Sequence, residues 1–560
     1  MATQIRDTQF GHLVRFLSRN KLFLFPDEAD SSIWKKLLPG DKGLPLESLT
    51  EQTNATQGVI VQDSNADQTA VDNGNFYVVD WYGPDDPENP QNWSRNWKLL
   101  VSFLMCILNF SFYIASSIYV PGIPSIMQDF GVSEIVATLG LSLFTIGYGL
   151  GPMLWSPMSE IPQLGRSPLY FWTFLAFILL QLPTGFAVNM PMFLVFRVLT
   201  GFLGSPPLAT GGATIVDMYD MASAGYGLCI LSSFGVLGPV FGPIIGGFAA
   251  PAEGWRWTIW IFTWLCALVL ILLFFMLPET SAANILYRRA KRLRETTGDA
   301  RFRSRSEIDA ARYKLIDHLA VLGRAFTLTF SEPIVFFMDL YSALLYGILF
   351  LWFESFPLVF GDIYGIGTGA QGLAFLGIFV GALVTVPLYL LWVKRGVVPM
   401  FAKPSFKPEM VLPPTFVGAV SLPICLFWYG WTARESVHWI LPIVGSSIFT
   451  VGVVTLFNTI FNYLGISYPA YVASIFAGNA LFRASFGASF PLFARELFRQ
   501  LGIGPGNSLL GGIAICFIPI PFVFYRVSMI LTPRFLLTEL IERQYGHRIR
   551  HMSKNARHDI

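Results

Sequence analysis

The chain reads Gly235-Val-Leu-Gly238-Pro239-Val-Phe-Gly242-Pro243-Ile-Ile-Gly246-Gly247 inside an otherwise apolar segment. In water such a helix would be heavily penalised, because each interior glycine costs about 1 kcal/mol and each proline about 3 kcal/mol relative to alanine. In a bilayer the same residues become useful. Gly238, Gly242 and Gly246 recur every four residues and bare one helix face, so a neighbouring helix can approach backbone to backbone, while Pro239 and Pro243 bend the axis. The stretch from Gly235 to Gly247 predicts a kinked, close-packed membrane span.

Composition agrees. The chain has 560 residues, of which 53% are hydrophobic and 13% charged, too apolar for a large soluble enzyme. The five cysteines (Cys106, Cys229, Cys266, Cys425 and Cys516) fall in apolar segments without paired spacing, so neither a disulfide framework nor a metal site is expected. No Gly-x-x-x-x-Gly-Lys-Ser/Thr string occurs, which argues against an ATP-driven pump. The six histidines lie in loops, tails or span edges, so no His-based catalytic group is expected. No cofactor and no enzymatic activity are anticipated.

Twelve apolar segments are long enough, at about 20 residues, to cross a hydrocarbon core of roughly 30 Å. They run over 98–120, 134–156, 167–187, 190–214, 223–249, 255–277, 333–359, 369–393, 410–432, 438–463, 468–494 and 506–527. The expected organisation is an N-terminal tail (1–97, partly disordered, with 43–76 especially polar), a six-helix unit (98–278), a charged central loop (279–332), a second six-helix unit (333–527) and a tail (528–560). Basic residues cluster in the central loop (Arg288 to Arg305, Arg312, Lys314, Arg324), after the eighth segment (Lys394, Arg395, Lys403, Lys407) and in the C-terminal tail. The positive-inside rule then puts both termini and the loop in the cytosol. The Arg288 to Arg305 run reads as topology and lipid contact, not nucleic-acid binding. Near the start, Phe10, Leu13, Val14 and Leu17 recur at helical spacing beside Arg15, Arg19 and Lys21. This fits a basic helix on the inner leaflet or a tail with incidental hydrophobes.

Gly238-x-x-x-Gly242-Pro243-x-x-Gly246-Gly247 resembles the antiporter motif on the fifth span of major facilitator drug:proton antiporters; the plain alternative is glycine-mediated packing. Asp85-Asp86-Pro87-Glu88-Asn89-Pro90-Gln91-Asn92-Trp93-Ser94 resembles the segment before the first span in fungal members of that family. Gly151-Pro152 to Ser159-Glu160-x-x-x-x-Gly165-Arg166 resembles its loop motif, with glutamate for aspartate and four residues instead of two before Gly-Arg. That longer spacing is similar to yeast azole and benomyl resistance exporters. Leu277-Pro278-Glu279-Thr280, Tyr287-Arg288-Arg289-Ala290 and Asn479 to Phe486 add further family-like strings. The resemblance implies an all-α polytopic protein of two six-helix halves. Internal repetition supports it, since Ser233-Phe-Gly235-x-x-x-Pro239-x-Phe241 matches Ser485-Phe-Gly487-x-x-x-Pro491-x-Phe493.

Charges inside spans are costly and functional by default. Arg197-Val-Leu-Thr-Gly201-x-x-Gly204 resembles the family's second motif, whose arginine is associated with proton coupling; a snorkelling arginine is the alternative. Asp339, Tyr346 and Glu354 form a polar stripe on the seventh segment, suited to a water-filled path or, for Glu354 especially, to interfacial anchoring. Arg483 sits mid-span on the eleventh segment, where a carboxylate from the other half would balance it. Arg197, Asp339, Glu354 and Arg483 are thus candidates for proton coupling. Glu160, Gly165 and Arg166 are candidates for a cytosolic latch between the halves. Phe110, Tyr113, Tyr346, Phe350 and Trp352 are candidates for the substrate wall.

The expected function is proton-coupled export of small amphipathic or apolar compounds, azole-type antifungals among them, across the plasma membrane. The expected partners are the substrates, protons and the lipid bilayer, with the chain acting as a monomer. A nutrient or metabolite carrier of the same fold is the alternative, and a non-transporting membrane receptor a weaker one.

Overall fold

The computed structural model describes residues 5–29, 76–312, 329–401, 407–468 and 472–529. The polar stretch 43–76 (but for Phe76), Lys314, Arg324, Lys403 and the C-terminal tail lie outside the described residues.

Among the described residues, eleven helices are long and apolar enough to cross a bilayer. A further helix, Val472–Leu501, has 30 residues but carries Arg483, Arg495, Glu496 and Arg499, and it packs between the second and seventh spans. In order the twelve are Arg95–Ser117, Glu134–Glu160, Ser167–Gly185, Met190–Gly204 continued by Pro206–Met218, Met221–Glu253, Trp255–Met276, Pro333–Phe356, Leu376–Trp392, Pro413–Thr432, Ile440–Ser467, Val472–Leu501, and Ile503–Phe517 continued by Pro519–Met529.

Neighbour relations repeat after six helices. The first packs on the fifth, the second on the fourth and the third on the sixth; likewise the seventh packs on the eleventh, the eighth on the tenth and the ninth on the twelfth. Between the halves the main seams are second against eleventh and fifth against eighth, which exchange under the same operation. The molecule is therefore two six-helix units related by a pseudo-two-fold axis.

The fifth span shows why its glycines are there. A Cβ on Gly238 would lie 2.9 Å from the Phe110 carbonyl oxygen, and one on Gly242 would lie 2.8 Å from the Ile118 nitrogen. Only bare backbone lets the first span come this close. Pro243 has no N–H to give to the Pro239 carbonyl one turn back. The Ser117 hydroxyl, on the first span, donates to that carbonyl instead at 2.8 Å. Gly247 faces the other half, where a Cβ would meet the Thr368 carbonyl oxygen at 2.9 Å.

The fourth span is broken, not continuous as the apolar run 190–214 suggests. Pro206 and Pro207 interrupt it after Gly204. The Phe202 carbonyl that Pro206 leaves without its helical donor accepts instead from the Ser205 hydroxyl at 2.8 Å and the Trp155 indole N–H at 2.9 Å. Hydropathy cannot see such a break, because proline in a membrane is tolerated wherever neighbours replace the lost donor.

The N-terminal segment and the central loop form a folded cap over the first half. Gln9–Leu17 is a helix whose Phe10 ring packs on Phe274 and Phe275 of the sixth span. Tyr77–Val79 pairs in parallel with Phe302–Ser304. Between them Arg289, with no exposed side-chain surface, pairs with Asp86 at 2.8 Å and Glu88 at 2.9 Å. Arg292 reaches Asp27 and Glu88, and Phe25 lies under the guanidinium groups of Arg6 and Arg292 at 3.8 and 3.5 Å. Burial alone would raise the Asp86 pKa, but the hydrogen bond and charge of Arg289 hold it below the usual carboxylate range. The basic run is thus largely internal: Arg289, Arg292, Arg294 and Arg301 all have carboxylate partners within the cap. That replaces the lipid-contact expectation for these residues.

Candidate functional site

A cavity lies between the halves; with the open solvent at its mouth the space measures about 710 Å³. Its walls come from the first, fourth and fifth spans on one side and the seventh, tenth and eleventh on the other. The residues contributed by the fourth and fifth spans (Pro207 to Gly212 and Leu228 to Val236) and by the eleventh (Phe476, Arg483) belong to the helix halves nearer the central loop. The cavity therefore sits in the loop-side half of the bundle. On the far side the halves are in contact. Ser142 of the second span donates to the Ala488 carbonyl of the eleventh at 2.7 Å. Beyond it, Arg495 of the eleventh span pairs with Glu134 of the second and donates through Nε to Glu354 of the seventh at 2.8 Å. Glu354 is buried, an ion-paired residue at the seam and not an interfacial anchor.

Tyr113 and Tyr346 line the cavity from opposite halves. The Tyr148 hydroxyl donates to that of Tyr346 at 2.9 Å, fixing the phenol from the second span. Phe457, Phe461 and Phe476 add apolar wall, and Asn109, Ser232 and Asn458 add polar points. Ser232 of the fifth span donates to Asn458 of the tenth at 2.6 Å, another bond between the halves. Of the other aromatic candidates, Phe110 packs against Phe234 and Phe241. Phe350 lies between Tyr346 and Phe353, and Trp352 against Tyr429 and Phe449. These three stand behind the cavity wall in this state.

The four charged candidates are not brought together. Arg197 is fully buried at the far side of the first half. It donates to the Gly140 carbonyl at 3.0 Å and the Ala115 carbonyl at 2.9 Å, under the rings of Phe144 and Tyr119 at 4.3 and 4.7 Å. No carboxylate pairs with it among the described residues. Asp339 is buried on the seventh span, where its Oδ1 accepts from Asn479 at 2.8 Å and its Oδ2 has no partner. Arg483 lines the cavity. The charge that reaches it is Asp339 of its own half, so the expected carboxylate from the other half is absent among the described residues.

Gly165 and Arg166 make their described contacts within the first half. Arg166 pairs with Asp217 at the loop-side end of the fourth span, within the first half. Gly165 has φ +75°; a Cβ there would run into the Glu279 carboxylate and Asn284. Glu279 in turn accepts from the backbone N–H groups of Arg166, Ser167, Thr280 and Ser281 at 2.9–3.1 Å. A buried carboxylate ties the loop after the second span to the start of the central loop. Residues that sequence inspection passed over are Arg495, Glu134, Asp217, Ser117 and Tyr148. The signal for Arg495 was its position twelve residues, about three helical turns, after Arg483.

Comparison with known proteins places these features. Residues 105–492 match the Major Facilitator Superfamily model. The chain is 39% identical to "Transporter mfs1" of Schizosaccharomyces pombe, over 95% of this chain and 98% of that one. It is 37% identical to "Cycloheximide resistance protein" of Candida maltosa (94% and 98%) and 40% identical to "Fluconazole resistance protein 1" of Saccharomyces cerevisiae (85% and 88%). Among solved structures, the proton:xylose symporter XylE superposes with TM-score 0.56 at 15% identity, over 77% of this chain and 97% of that one. The human organic anion transporter MFSD10 gives 0.55 at 15% identity, over 76% and 99%; both show the fold alone. With its two six-helix units, the cavity between them and this full-length similarity, the chain belongs to the major facilitator superfamily of membrane transporters.

Proposed function

We propose that the protein exports small amphipathic or apolar compounds, azole-type antifungals included, from the cytosol across the plasma membrane in exchange for protons. The observation that carries this is the aromatic-walled cavity between two halves that meet on the far side. Its wall is mostly apolar with a few polar points, the lining that sites for such molecules share. Relatives named for cycloheximide and fluconazole resistance support the substrate class. With the termini and central loop in the cytosol, the state described takes up substrate from inside. Each chain carries a whole cavity, so one copy suffices.

Protons provide enough drive. A proton moving through 100 mV supplies about 2.3 kcal/mol, and one pH unit adds about 1.4 kcal/mol. Together these sustain a concentration ratio of roughly several hundred. Asp339 and Glu354 are the carboxylates, and Arg197 and Arg483 the cations, that we assign to coupling or to the control of it. A nutrient carrier of the same fold is the competing reading; it calls for more amide side chains around the cavity than Asn109 and Asn458.

The test is expression in an exporter-deficient yeast, with intracellular fluconazole measured with and without a protonophore. Export predicts a severalfold drop in accumulation that the protonophore abolishes. An unchanged accumulation defeats the export reading, and a drop that survives the protonophore defeats proton coupling.

A further inference from the structure

Arg483 is the one charged side chain in the cavity wall among the described residues. It is 7% exposed, and its Nε has no hydrogen-bond partner. No carboxylate lies within ion-pair distance of it among the described residues. Its guanidinium is held instead by ring faces: Phe457 at 5.0 Å, Tyr346 at 5.5 Å and Phe461 at 5.6 Å to their centroids. Contact with ring faces orients a guanidinium but uses none of its N–H donors. A buried cation with open donors in a low-dielectric wall is costly until something accepts from it.

We propose that Arg483 is the polar anchor of the substrate site. The site then takes aromatic compounds that carry an anionic group or a strong hydrogen-bond acceptor, such as a carboxylate or a polarised carbonyl. Lipophilic cations are excluded. The acceptor docks on the open N–H edge of Arg483, and the aromatic body lies against Phe457, Phe461, Phe476 and Tyr113. Asn109 and the Ser232–Asn458 pair stand in the wall for a second polar group. A ligand ammonium would meet a like charge at the wall, while Asp339, whose charge reaches Arg483, stands outside the lining and is bonded to Asn479. This inference rests on the export reading only for calling the occupant a substrate; the binding preference is separate.

The experiment measures binding to the purified full-length protein in lipid nanodiscs by calorimetry at pH 7.4. Three probes of one shape are used: 2-naphthoate, 2-naphthamide and 2-naphthylmethylammonium. The expected order is carboxylate tightest, amide next and ammonium at least about tenfold weaker than the carboxylate, a difference of about 1.4 kcal/mol. Arg483→Met should weaken the carboxylate about tenfold or more and the amide by less, and Arg483→Lys should recover part of the carboxylate affinity. The ranking on the unmodified protein needs no variant and stands even where Arg483→Met does not fold. An ammonium that binds as well as the carboxylate, an equal loss for all three probes in Arg483→Met, or no binding of any probe overturns the proposal. If the ranking holds while fluconazole accumulation in cells is unaffected by the protein, the export reading fails and the binding inference stands. If export is intact and the ranking is absent, only the inference fails.

Discussion

Arg197 is held by carbonyls. Its two hydrogen bonds run from the fourth span to Gly140 on the second and Ala115 on the first, so one side chain sets the spacing of three helices. A buried arginine with no paired carboxylate is an expensive way to fasten helices, which argues that its charge is also used. We expect Arg197→Ala to abolish fluconazole efflux while surface levels, measured by biotinylation, stay within about twofold of the unmodified protein. Full efflux by that variant removes Arg197 from the mechanism. Single charges such as Arg197, Asp339, Glu354 and Arg483 were legible in the sequence because an ion in an apolar run is conspicuous. Their partners were not. Asn479 opposite Asp339 and Arg495 opposite Glu354 come from a helix some 140 residues away. Arg495 also falls just past the apolar run 468–494, where it passes for a loop residue.

At the level of single helices, the glycine face of the fifth span was legible as a face, and the structure supplies its partner, the first span. A Cβ on Gly242 would meet the Ile118 nitrogen at 2.8 Å and the Ser117 carbonyl carbon at 3.0 Å, both backbone, so nothing there can turn aside. We expect Gly242→Leu to destabilise the protein by about 1–3 kcal/mol, the usual cost of overpacking, and to lower transport at least tenfold. Thermal melting of the purified variant and its efflux rate check this. An unchanged melting point with normal transport makes the close approach incidental. The break at Pro206 was present in the sequence as a Pro-Pro pair but is invisible to a hydropathy window, since the donors replacing the lost N–H come from Ser205 and Trp155.

The two halves meet along seams that are apolar except at a few points, and on the far side Glu134, Arg495, Arg499 and Glu354 form a charged cluster. Arg495 pairs with both Glu134 and Glu354, and Arg499 lies 3.9 Å from Glu134 alone. Removing it leaves Glu354 buried without its counter-charge, at a cost of about 3–5 kcal/mol to the closed arrangement. We therefore expect Arg495→Ala to shift the population toward a far-side-open state by more than tenfold. Spin labels placed on exposed positions at the far ends of the second and eleventh spans would report a longer distance. An unaltered distance distribution shows that the seam holds without this cluster. The six-plus-six architecture was readable from apolar lengths and from the Ser-Phe-Gly repeat. The cap was not, because its ion pairs join residues such as Asp86 and Arg289 that lie 203 positions apart.

The cap has a practical consequence of its own. Its described contacts run to one half only, through Phe10 on the sixth span, Glu279 on the loop before the third, and Lys98 of the first span donating to the Gln91 carbonyl. It is a folded handle on one of the two six-helix units. An antibody fragment raised against it would add mass for image alignment without bridging the halves, so any change in their relative position could still be photographed.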